Sequence, residues 1–287
     1  MLQQIMICTD LDRTLLPNGP QSESVDARAR FRALVEHDQI QLVYVTGRDQ
    51  QLVKAAMQHY QLPTPDYVIG DVGTTIYQID ENGEWNEINQ WQQHIEQDWN
   101  GYSHQQLSGL ISQSDLRLQE PSKQNLHKIS YYVPLKGDQR IISETIQTVF
   151  QQYSIKASLI WSIDEPKNTG LLDIVPASAS KYHAIEYLLH WLKLNPAQCV
   201  FCGDSGNDME VILSPLNSVL VANSSEAIQQ MAREGVRQKG LEASLYIATG
   251  EFLGMNGYYS AGMLEGIAYF FPHSYNWMLT VDNSLRS

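Results

Sequence analysis

Short apolar runs alternate with helical segments over most of this chain, and this alternation constrains the fold more than any other feature. The runs at residues 5–9, 41–45 and 66–70 are short enough for buried strands, and segments with helical spacing separate them. Strands that alternate with helices form βαβ units in a parallel sheet. The chain therefore predicts an α/β fold with a Rossmann-like, doubly wound parallel sheet.

The alternation is interrupted in the middle of the chain and then resumes. Residues 74–88 predict a hairpin with Asn82-Gly83 at its turn, and a polar helix and further strands follow it. The earlier pattern returns with the apolar run at 171–176. We therefore expect a core of residues 1–76 and 171–271, an inserted smaller α+β cap at 77–170, and a loose tail at 272–287.

Charge and composition argue against several partners. The 287 residues carry 32 acidic and 19 basic side chains, which gives a formal net charge of −13. Nucleic acids and anionic membrane surfaces are polyanions, so we expect neither as a partner. No stretch approaches the roughly 20 apolar residues of a membrane span, and the first residues lack the basic segment of a signal peptide.

The cysteines favour a reducing compartment. Three are too few for the disulfide framework of a small secreted protein. Cys199 and Cys202 lie three apart in a predicted strand, so their thiols should point to opposite faces instead of forming a redox pair. We therefore expect a cytoplasmic protein.

Two clusters of acidic residues directly follow predicted strands. Asp10 and Asp12 come after the first strand, and Asp204 and Asp208 follow the apolar run that ends near residue 203. Open α/β sheets bind ligands at the carboxyl ends of their strands. Crowded carboxylates repel one another unless a cation lies between them, and oxygen ligands beside phosphate favour Mg²⁺. Asp10 can then serve as both a metal ligand and a nucleophile.

Two other segments offer groups for an anion. Thr46, Gly47 and Arg48 follow the second strand, where a hydroxyl and backbone N–H groups at a helix N-terminus can hold a phosphate. Lys181 lies in the first turn of a predicted helix, a place where the helix dipole disfavours a cation. A phosphate and the clustered carboxylates facing Lys181 would explain that position.

The order of these motifs resembles the haloacid-dehalogenase (HAD) superfamily of phosphatases. DLDRT at 10–14 is followed by TGR at 46–48, Lys181 and GDSGND at 203–208. The insert resembles the cap of the Cof-like branch. Within that branch the chain is similar to the sucrose-phosphate phosphatases, in the segments DVGTTIY, HKISYY, LLDIVPASASK and SAGMLEGIAYF. It looks like the shorter bacterial form, because the plant relatives carry an additional C-terminal domain.

The resemblance implies a Mg²⁺-dependent phosphatase with an aspartyl-phosphate intermediate. Asp10 would attack the phosphorus, and Asp12 would protonate the leaving oxygen and then activate water. Asp12 must then start protonated, and we expect neighbouring carboxylates to raise its pKa. The metal ligands implied are Asp10, Asp12 through its backbone carbonyl, Asp204 and Asp208. The phosphate ligands implied are Leu11, Thr46, Gly47, Arg48, Lys181 and Asn207.

Recognition of the sugar is expected to involve the cap, because the sheet edge alone is too open. The sugar contacts that we predict are Arg48 and Gln50 beside the phosphate loop, and Lys128, Tyr131, Trp161 and Asp164 in the cap. As partners we expect a small phosphorylated sugar and a sugar-phosphate synthase that precedes this enzyme. We also expect a monomer.

The favoured substrate is sucrose 6-phosphate, and several alternatives stay open. Other sugar phosphates share the layout, among them mannosylfructose phosphate, glucosylglycerol phosphate and an aminosugar 6-phosphate. A phosphohexomutase also passes through an aspartyl-phosphate. A receiver-like module that senses phosphate without turnover belongs to another class of protein, but Asp12 two residues after Asp10 favours turnover.

Overall fold

The computed structural model describes residues 4–111, 116–164 and 168–279. Its strands are β1 (Ile5–Thr9), β2 (Ile40–Val45), β3 (Tyr67–Gly70), β4 (Thr75–Ile79), β5 (Trp85–Glu87), β6 (Arg117–Leu118), β7 (Ile129–Val133), β8 (Ala157–Asp164), β9 (Thr169–Pro176), β10 (Cys199–Gly203), β11 (Asn217–Leu220) and β12 (Leu245–Ile247). Its helices are α1 (Ala27–Val35), α2 (Gln50–Tyr60), α3 (Asn89–Ile95), α4 (His104–Leu110), α5 (Gln139–Gln152), α6 (Lys181–Leu192), α7 (Met209–Ile212), α8 (Glu226–Lys239) and α9 (Ser260–Phe270). Within these residues, none of the helices has the length and apolar character needed to cross a membrane.

The larger sheet confirms the predicted α/β core. Its strand order within the described residues is β12-β11-β10-β1-β2-β3-β4-β5, and the strands from β12 to β3 are parallel. Successive side chains of β1 point to opposite faces. Ile5 and Ile7 join the apolar cluster under α1 and α9, whereas Met6 and Cys8 join the cluster under α3 and α6. Helices therefore cover both faces of this sheet.

The smaller sheet has the order β6-β7-β9-β8 and is antiparallel. One of its faces packs on α5, where Ile142, Ile146 and Phe150 meet Leu172 and Ile174 of β9. The other face carries polar side chains. Ser130 and Asp173 lie on this second face, and Val175 of the same face packs in the apolar cluster under α3 and α6. The strands thus alternate between the α5 side and a face that is polar in part.

Strand pairing differs from the predicted division at two places near its boundaries. The hairpin of β4 and β5 extends the larger sheet antiparallel to β3, although residues 77–88 were expected in the insert. Strand β9, which contains residues 171–176, lies in the smaller sheet between β7 and β8, although it was expected in the core. An apolar run has the same sequence pattern in either sheet, so periodicity cannot assign it. The division into core and cap stays a prediction.

Residues Pro272–Met278 form a 3₁₀ helix where a loose tail was expected. Met278 is fully buried, and its carbonyl accepts a hydrogen bond of 3.1 Å from Arg30 of α1. The ring of Trp277 stacks on His37 at 3.8 Å between centroids. These contacts hold the segment against α1. The remainder of the predicted tail, residues 280–287, lies outside the described residues.

The three cysteines are unpaired and fully buried. Cys199 packs in the cluster under α6, and Cys202 packs in the cluster on the opposite face of the sheet. The prediction that these two thiols diverge is therefore confirmed.

His127, which lies just before β7, is buried against the ring of Trp99. Its Nδ1 lies 2.5 Å from the side-chain carbonyl oxygen of Gln92. The amide nitrogen of Gln92 donates to the carbonyl of Thr74, so its oxygen is the acceptor and His127 Nδ1 carries the proton. Burial lowers the pKa of His127 to about 4, because the imidazolium would lose its hydration.

This depressed pKa predicts a loss of stability in mild acid. Between pH 6.5 and 4 the unfolded state binds the proton and the folded state does not, so stability falls as the pH falls. We expect His127 to account for about 2 kcal/mol of the decrease in unfolding free energy between pH 7.5 and pH 5. Urea unfolding of the wild type and of His127→Asn at both pH values measures this difference. Equal pH dependence in the two proteins would contradict the prediction.

Candidate active site

The carboxyl ends of β10, β1 and β2 form the floor of a pocket of about 300 Å³. Strand β1 lies between the other two and runs parallel to both, so the loops that follow the three strands emerge side by side. Asp10, Asp204 and Thr46 begin these loops, and all three are buried. The sheet order thus brings together residues that are far apart in the sequence.

Three carboxylates meet at one side of this pocket. Asp10, Asp204 and Asp208 each present an oxygen atom, and these oxygens lie within 4.8 Å of one another. Burial raises the pKa of Asp10 to about 8, helped by the charges of Asp208 and Asp204 and opposed by Lys181. Burial also raises the pKa of Asp204 to about 6, and Asp208 adds to the rise. The buried negative charge calls for a cation.

The donor set fits a hard divalent cation. Its atoms are all carboxylate oxygens, the ligands that Mg²⁺ prefers. Lys181 supplies one positive charge, and Arg13 lies at the edge of the group with its Nε 3.6 Å from Asp204. Oδ2 of Asp208 accepts the backbone N–H groups of Asp204 and Ser205 at 3.1 Å, which fixes this carboxylate in its loop.

Lys181 is the first residue of α6 and points into the carboxylate group. Ser180 caps the helix by accepting a hydrogen bond from the backbone N–H of His183 at 3.2 Å, so the helix starts at the pocket. Nζ of Lys181 lies 2.8 Å from Asp10 and 2.7 Å from Asp208, and the residue is 4% exposed. Burial lowers the pKa of Lys181, but the two carboxylates outweigh it and raise the pKa above its usual range. Lys181 therefore stays charged.

Asp12 does not behave as the sequence predicted. Its side chain is 43% exposed and forms a bidentate ion pair with Arg48, at 2.8 and 2.6 Å, and Asn18 donates a third hydrogen bond at 2.7 Å. Burial raises the pKa of Asp12, but these hydrogen bonds and the Arg48 charge outweigh it and lower the pKa below its usual range. The expectation that neighbouring carboxylates raise this pKa is therefore wrong. The Arg48 guanidinium is the physical reason.

The residues predicted to hold phosphate differ in how they meet the pocket. Thr46, Gly47, Arg48 and Asn207 line it, and Thr46 Oγ1 accepts the backbone N–H of Arg48 at 3.2 Å. Lys181 is buried beside the pocket, and its Nζ donates to the side-chain oxygen of Asn207 at 3.2 Å. The side chain of Leu11 is buried in the apolar core, so only its backbone could contact a phosphate.

A second pocket, of about 270 Å³, opens next to the first. Gly47 lines both pockets. The polar face of the smaller sheet supplies Lys128 and Asp164, two of the predicted sugar contacts. Gln50, another predicted contact, is the half-buried first residue of α2. The phosphate pocket and the polar face of the smaller sheet therefore form adjoining cavities.

Tyr131 and Trp161 lie away from this second pocket. Both rings belong to the apolar cluster on the α5 side of the smaller sheet, and Trp161 Nε1 donates to Ser143 of α5 at 3.3 Å. Side chains alternate across a strand, so Tyr131 faces away from its neighbours Ser130 and Tyr132, which line the pocket. This corrects the prediction that Tyr131 and Trp161 contact the sugar.

Sequence reasoning missed several polar residues at or near the second pocket, among them Ser130, Asp173 and Asp71. Ser130 and Asp173 line it, and the Ser130 hydroxyl donates to the Asp173 carboxylate at 2.5 Å. Asp71 does not line the pocket but forms a buried ion pair with Lys128, which does. A signal existed for the first two, because Ser130 and Asp173 interrupt otherwise apolar strands. No local signal identifies the partner of Asp71, which lies 57 residues from Lys128 in the chain.

Comparison with known proteins extends over nearly the whole chain. The model of the sucrose-6F-phosphate phosphohydrolase family matches residues 3–271. A protein of Nitrosococcus oceani, described only as a HAD-like hydrolase, is 48% identical over 98% of this chain and 75% of its own length. Sucrose-phosphatase 2 of Nicotiana tabacum is 31% identical over 79% of this chain, which spans 52% of the tobacco protein.

A solved structure shares the fold. The sucrose-phosphatase of Synechocystis, solved in complex with sucrose and phosphate, superposes with a TM-score of 0.71 at 22% sequence identity, covering 94% of this chain and 99% of that one. The α/β core with its smaller sheet is therefore the HAD fold. Together with the family match, the motifs at the strand ends show that the chain belongs to the sucrose-6F-phosphate phosphohydrolase family of phosphoric monoester hydrolases, within the HAD superfamily.

Proposed function

We propose that this protein is a Mg²⁺-dependent sugar phosphatase that hydrolyses sucrose 6-phosphate to sucrose and inorganic phosphate. The observation that carries the proposal is the pair of adjoining pockets, which share Gly47. One pocket has carboxylates and a buried lysine for a cation and a phosphoryl group. The other has hydrogen-bonding side chains for the remainder of the substrate. The family match supports the choice of sugar.

Asp10, Asp204 and Asp208 would hold the Mg²⁺ ion, and the backbone carbonyl of Asp12 is a further proposed ligand. Their oxygens are close together and buried, as such a site requires. When bound, the ion would neutralise charge on the phosphoryl group and orient it for attack. The remaining chemistry can be assigned to side chains of this chain.

Asp10 would be the nucleophile. Lys181 holds its Oδ1 at 2.8 Å, so Oδ2 would attack the phosphorus. The ester bond breaks with its electron pair going to the sugar oxygen, which takes a proton from Asp12. Water then attacks the aspartyl-phosphate, Asp12 accepts its proton, and phosphate and Asp10 are released. Thr46, Gly47, Asn207 and Lys181 would hold the phosphoryl oxygens during both steps.

Arg48 would control the protonation of Asp12. In the structure this arginine pairs with Asp12, which favours the ionised carboxylate. An incoming phosphate dianion competes for Arg48 and adds negative charge beside Asp12. Both effects raise the pKa of Asp12. The carboxyl can therefore be protonated when the substrate is bound and serve as a base after the sugar has left.

The second pocket suits an uncharged sugar more than a second acidic group. Among the described residues, two lysines line it, and both have acidic partners: Lys128 pairs with Asp71, and Nζ of Lys123 lies 3.4 Å from Asp49. Asp173 adds a half-buried carboxylate to the lining. The described part of the lining thus offers donors and acceptors without excess positive charge, which favours hydroxyl groups as ligands.

A phosphate-release assay tests the proposal. We expect sucrose 6-phosphate to be hydrolysed with a kcat/KM at least about 100-fold above that for p-nitrophenyl phosphate, because only the sugar uses the second pocket. The panel also contains glucose 6-phosphate, mannosylfructose phosphate, glucosylglycerol phosphate and an aminosugar phosphate. Chelation with EDTA should stop the reaction and added Mg²⁺ should restore it.

Two results would contradict the proposal. If sucrose 6-phosphate is turned over no better than p-nitrophenyl phosphate, the substrate is wrong. If hydrolysis continues at the same rate after the protein has been freed of divalent cations, the role of Mg²⁺ is wrong. A higher kcat/KM for another member of the panel would identify that compound as the better substrate.

A further inference from the structure

We propose that Asp71 is a positioning residue that holds Lys128 in the sugar pocket and connects this pocket to the phosphate site. The proposal rests on the function proposed above, because it assigns the second pocket to the sugar. It concerns a residue of the larger sheet that lines neither pocket. The argument depends on one buried ion pair and on the backbone that carries it.

The ion pair joins the two sheets of the molecule. Asp71 directly follows β3 of the larger sheet, and Lys128 directly precedes β7 of the smaller one. Nζ of Lys128 donates to Oδ1 of Asp71, and the two side chains are only 6% and 8% exposed. A buried charge without its partner is strongly unfavourable. The position of the Lys128 ammonium group is therefore tied to the position of Asp71.

Lys128 meets polar neighbours at the pocket. It lines the cavity together with Ser130 and Asp173. Burial raises the pKa of Asp173 above its usual value, and the charge of Lys128 opposes that rise. An ammonium group held here can donate to a sugar hydroxyl, because Asp71 uses one of its three protons and Lys128 lines the cavity.

The backbone from Asp71 to Gly73 is held in an uncommon conformation. Asp71, Val72 and Gly73 have φ angles of 49°, 58° and 97°, in the left-handed region. This region is disfavoured for a β-branched residue such as Val72. Strain of this kind persists only where surrounding contacts maintain it, and it is concentrated at functional sites.

The contacts that maintain this backbone come from the phosphate site. The N–H of Asp71 donates to the carbonyl of Arg48 at 2.9 Å, and the N–H of Val72 donates to the carbonyl of Thr46 at 3.2 Å. Gly73 lies against the start of α6, where a Cβ atom would come within 2.5 Å of the Ser180 carbonyl carbon and 3.0 Å of the Lys181 nitrogen. Asp71 therefore lies on a short segment fixed to both phosphate-binding elements.

A positioning role differs measurably from a purely structural one. If Asp71 had a purely structural role, its replacement would change the stability of the protein, and any effect on catalysis would be similar for all substrates. A residue that positions Lys128 changes the binding of the sugar, so it alters KM for a sugar phosphate more than KM for a substrate that lacks the sugar. Sucrose 6-phosphate and p-nitrophenyl phosphate provide that comparison.

The test variant is Asp71→Asn, which keeps the shape of the side chain and removes its charge. Asparagine tolerates a positive φ as well as aspartate does, so the backbone conformation can be kept. We expect the ratio of the KM for sucrose 6-phosphate to the KM for p-nitrophenyl phosphate to rise about tenfold, with kcat for the sugar phosphate changing less than KM. Glu144→Gln, on the exposed face of α5, removes one charge from the smaller-sheet side of the molecule and should keep the wild-type ratio.

Lys128→Gln and the double variant complete a mutant cycle. If Asp71 acts through Lys128, Lys128→Gln raises the KM ratio by a similar factor, and the double variant shows no further increase. The double variant buries no unpaired charge from this pair, so it remains informative if Asp71→Asn alone fails to fold. Thermal unfolding of all variants separates changes in stability from changes in KM.

Two outcomes would overturn the proposal while leaving the proposed function intact. One is a wild-type KM ratio in Asp71→Asn, or in the double variant if the single one does not fold. The other is a double variant whose KM ratio is the product of the two single effects, which would show that the residues act independently. If the wild-type protein releases no phosphate from any sugar phosphate, the proposed function fails and this proposal fails with it.

Discussion

Replacing Asp10 with asparagine is expected to abolish phosphate release. The substituted amide keeps the size of the side chain but lacks the carboxylate that would attack phosphorus and help to hold Mg²⁺. We expect kcat to fall by on the order of 10⁴-fold or more, as for loss of other enzymatic nucleophiles. Steady-state phosphate release and mass spectrometry of the acid-quenched protein check the result. No phosphorylated peptide containing residue 10 should be found.

The folded structure should tolerate this change. Burial raises the pKa of Asp10 to about 8, so the charged carboxylate is costly there and a neutral amide of the same shape relieves that cost. Glu210→Gln is a matched control, because Glu210 is exposed on α7 two residues after Asp208. Near wild-type hydrolysis by purified, folded Asp10→Asn would disprove the proposed mechanism.

Replacing Asp12 with asparagine is expected to slow sugar-phosphate hydrolysis by about 10²- to 10⁴-fold, because a general acid and base is lost. The two half-reactions should respond differently. p-Nitrophenolate leaves without a proton, so Asp10 can still be phosphorylated by p-nitrophenyl phosphate. Hydrolysis of the aspartyl-phosphate then lacks its base. Stopped-flow measurements should show a burst of p-nitrophenol followed by slow turnover.

The same burst distinguishes a catalytic Asp12 from one that only pairs with Arg48. A residue that merely placed Arg48 would affect phosphate binding, and its loss would raise KM without accumulation of phosphorylated enzyme. Equal slowing of both half-reactions would contradict the assignment of Asp12 as acid and base. Circular dichroism shows whether the variant is folded. The Glu210→Gln control shows whether loss of a nearby negative charge alone changes the rates.

Much of the phosphate site could be predicted because its parts are strand ends. Each of Asp10, Thr46 and Asp204 directly follows an apolar run, and parallel strands bring their carboxyl ends to one edge of a sheet. Lys181 was found through its poor fit to the start of a helix. These inferences use only the order of strand and helix along the chain. They place each residue at the edge of a sheet, and the strand order then makes the three residues neighbours.

The second pocket could be predicted less well. Tyr131 and Trp161 were expected at the sugar because aromatic residues in the insert could serve there, yet both pack under α5. A period of two shows which residues of a strand share a face. This periodicity does not show which face of the smaller sheet packs on a helix when both faces carry aromatic side chains. Lys128 and Asp164 lie far apart in the sequence, and the pairing of strands in the smaller sheet brings both to the second pocket.

Local periodicity and the geometry of parallel strands predict the α/β core and place the acidic strand ends at one edge of the sheet. The pairing of β1 with β10 and β2 then brings Asp10, Asp204 and Thr46 side by side. The charge states and the connection between the two pockets depend on contacts that form only when the chain folds. The pKa of Asp12 depends on Arg48, 36 residues away, and the position of Lys128 depends on Asp71, 57 residues away. Electrostatic interactions act through space, so their partners are chosen by the fold.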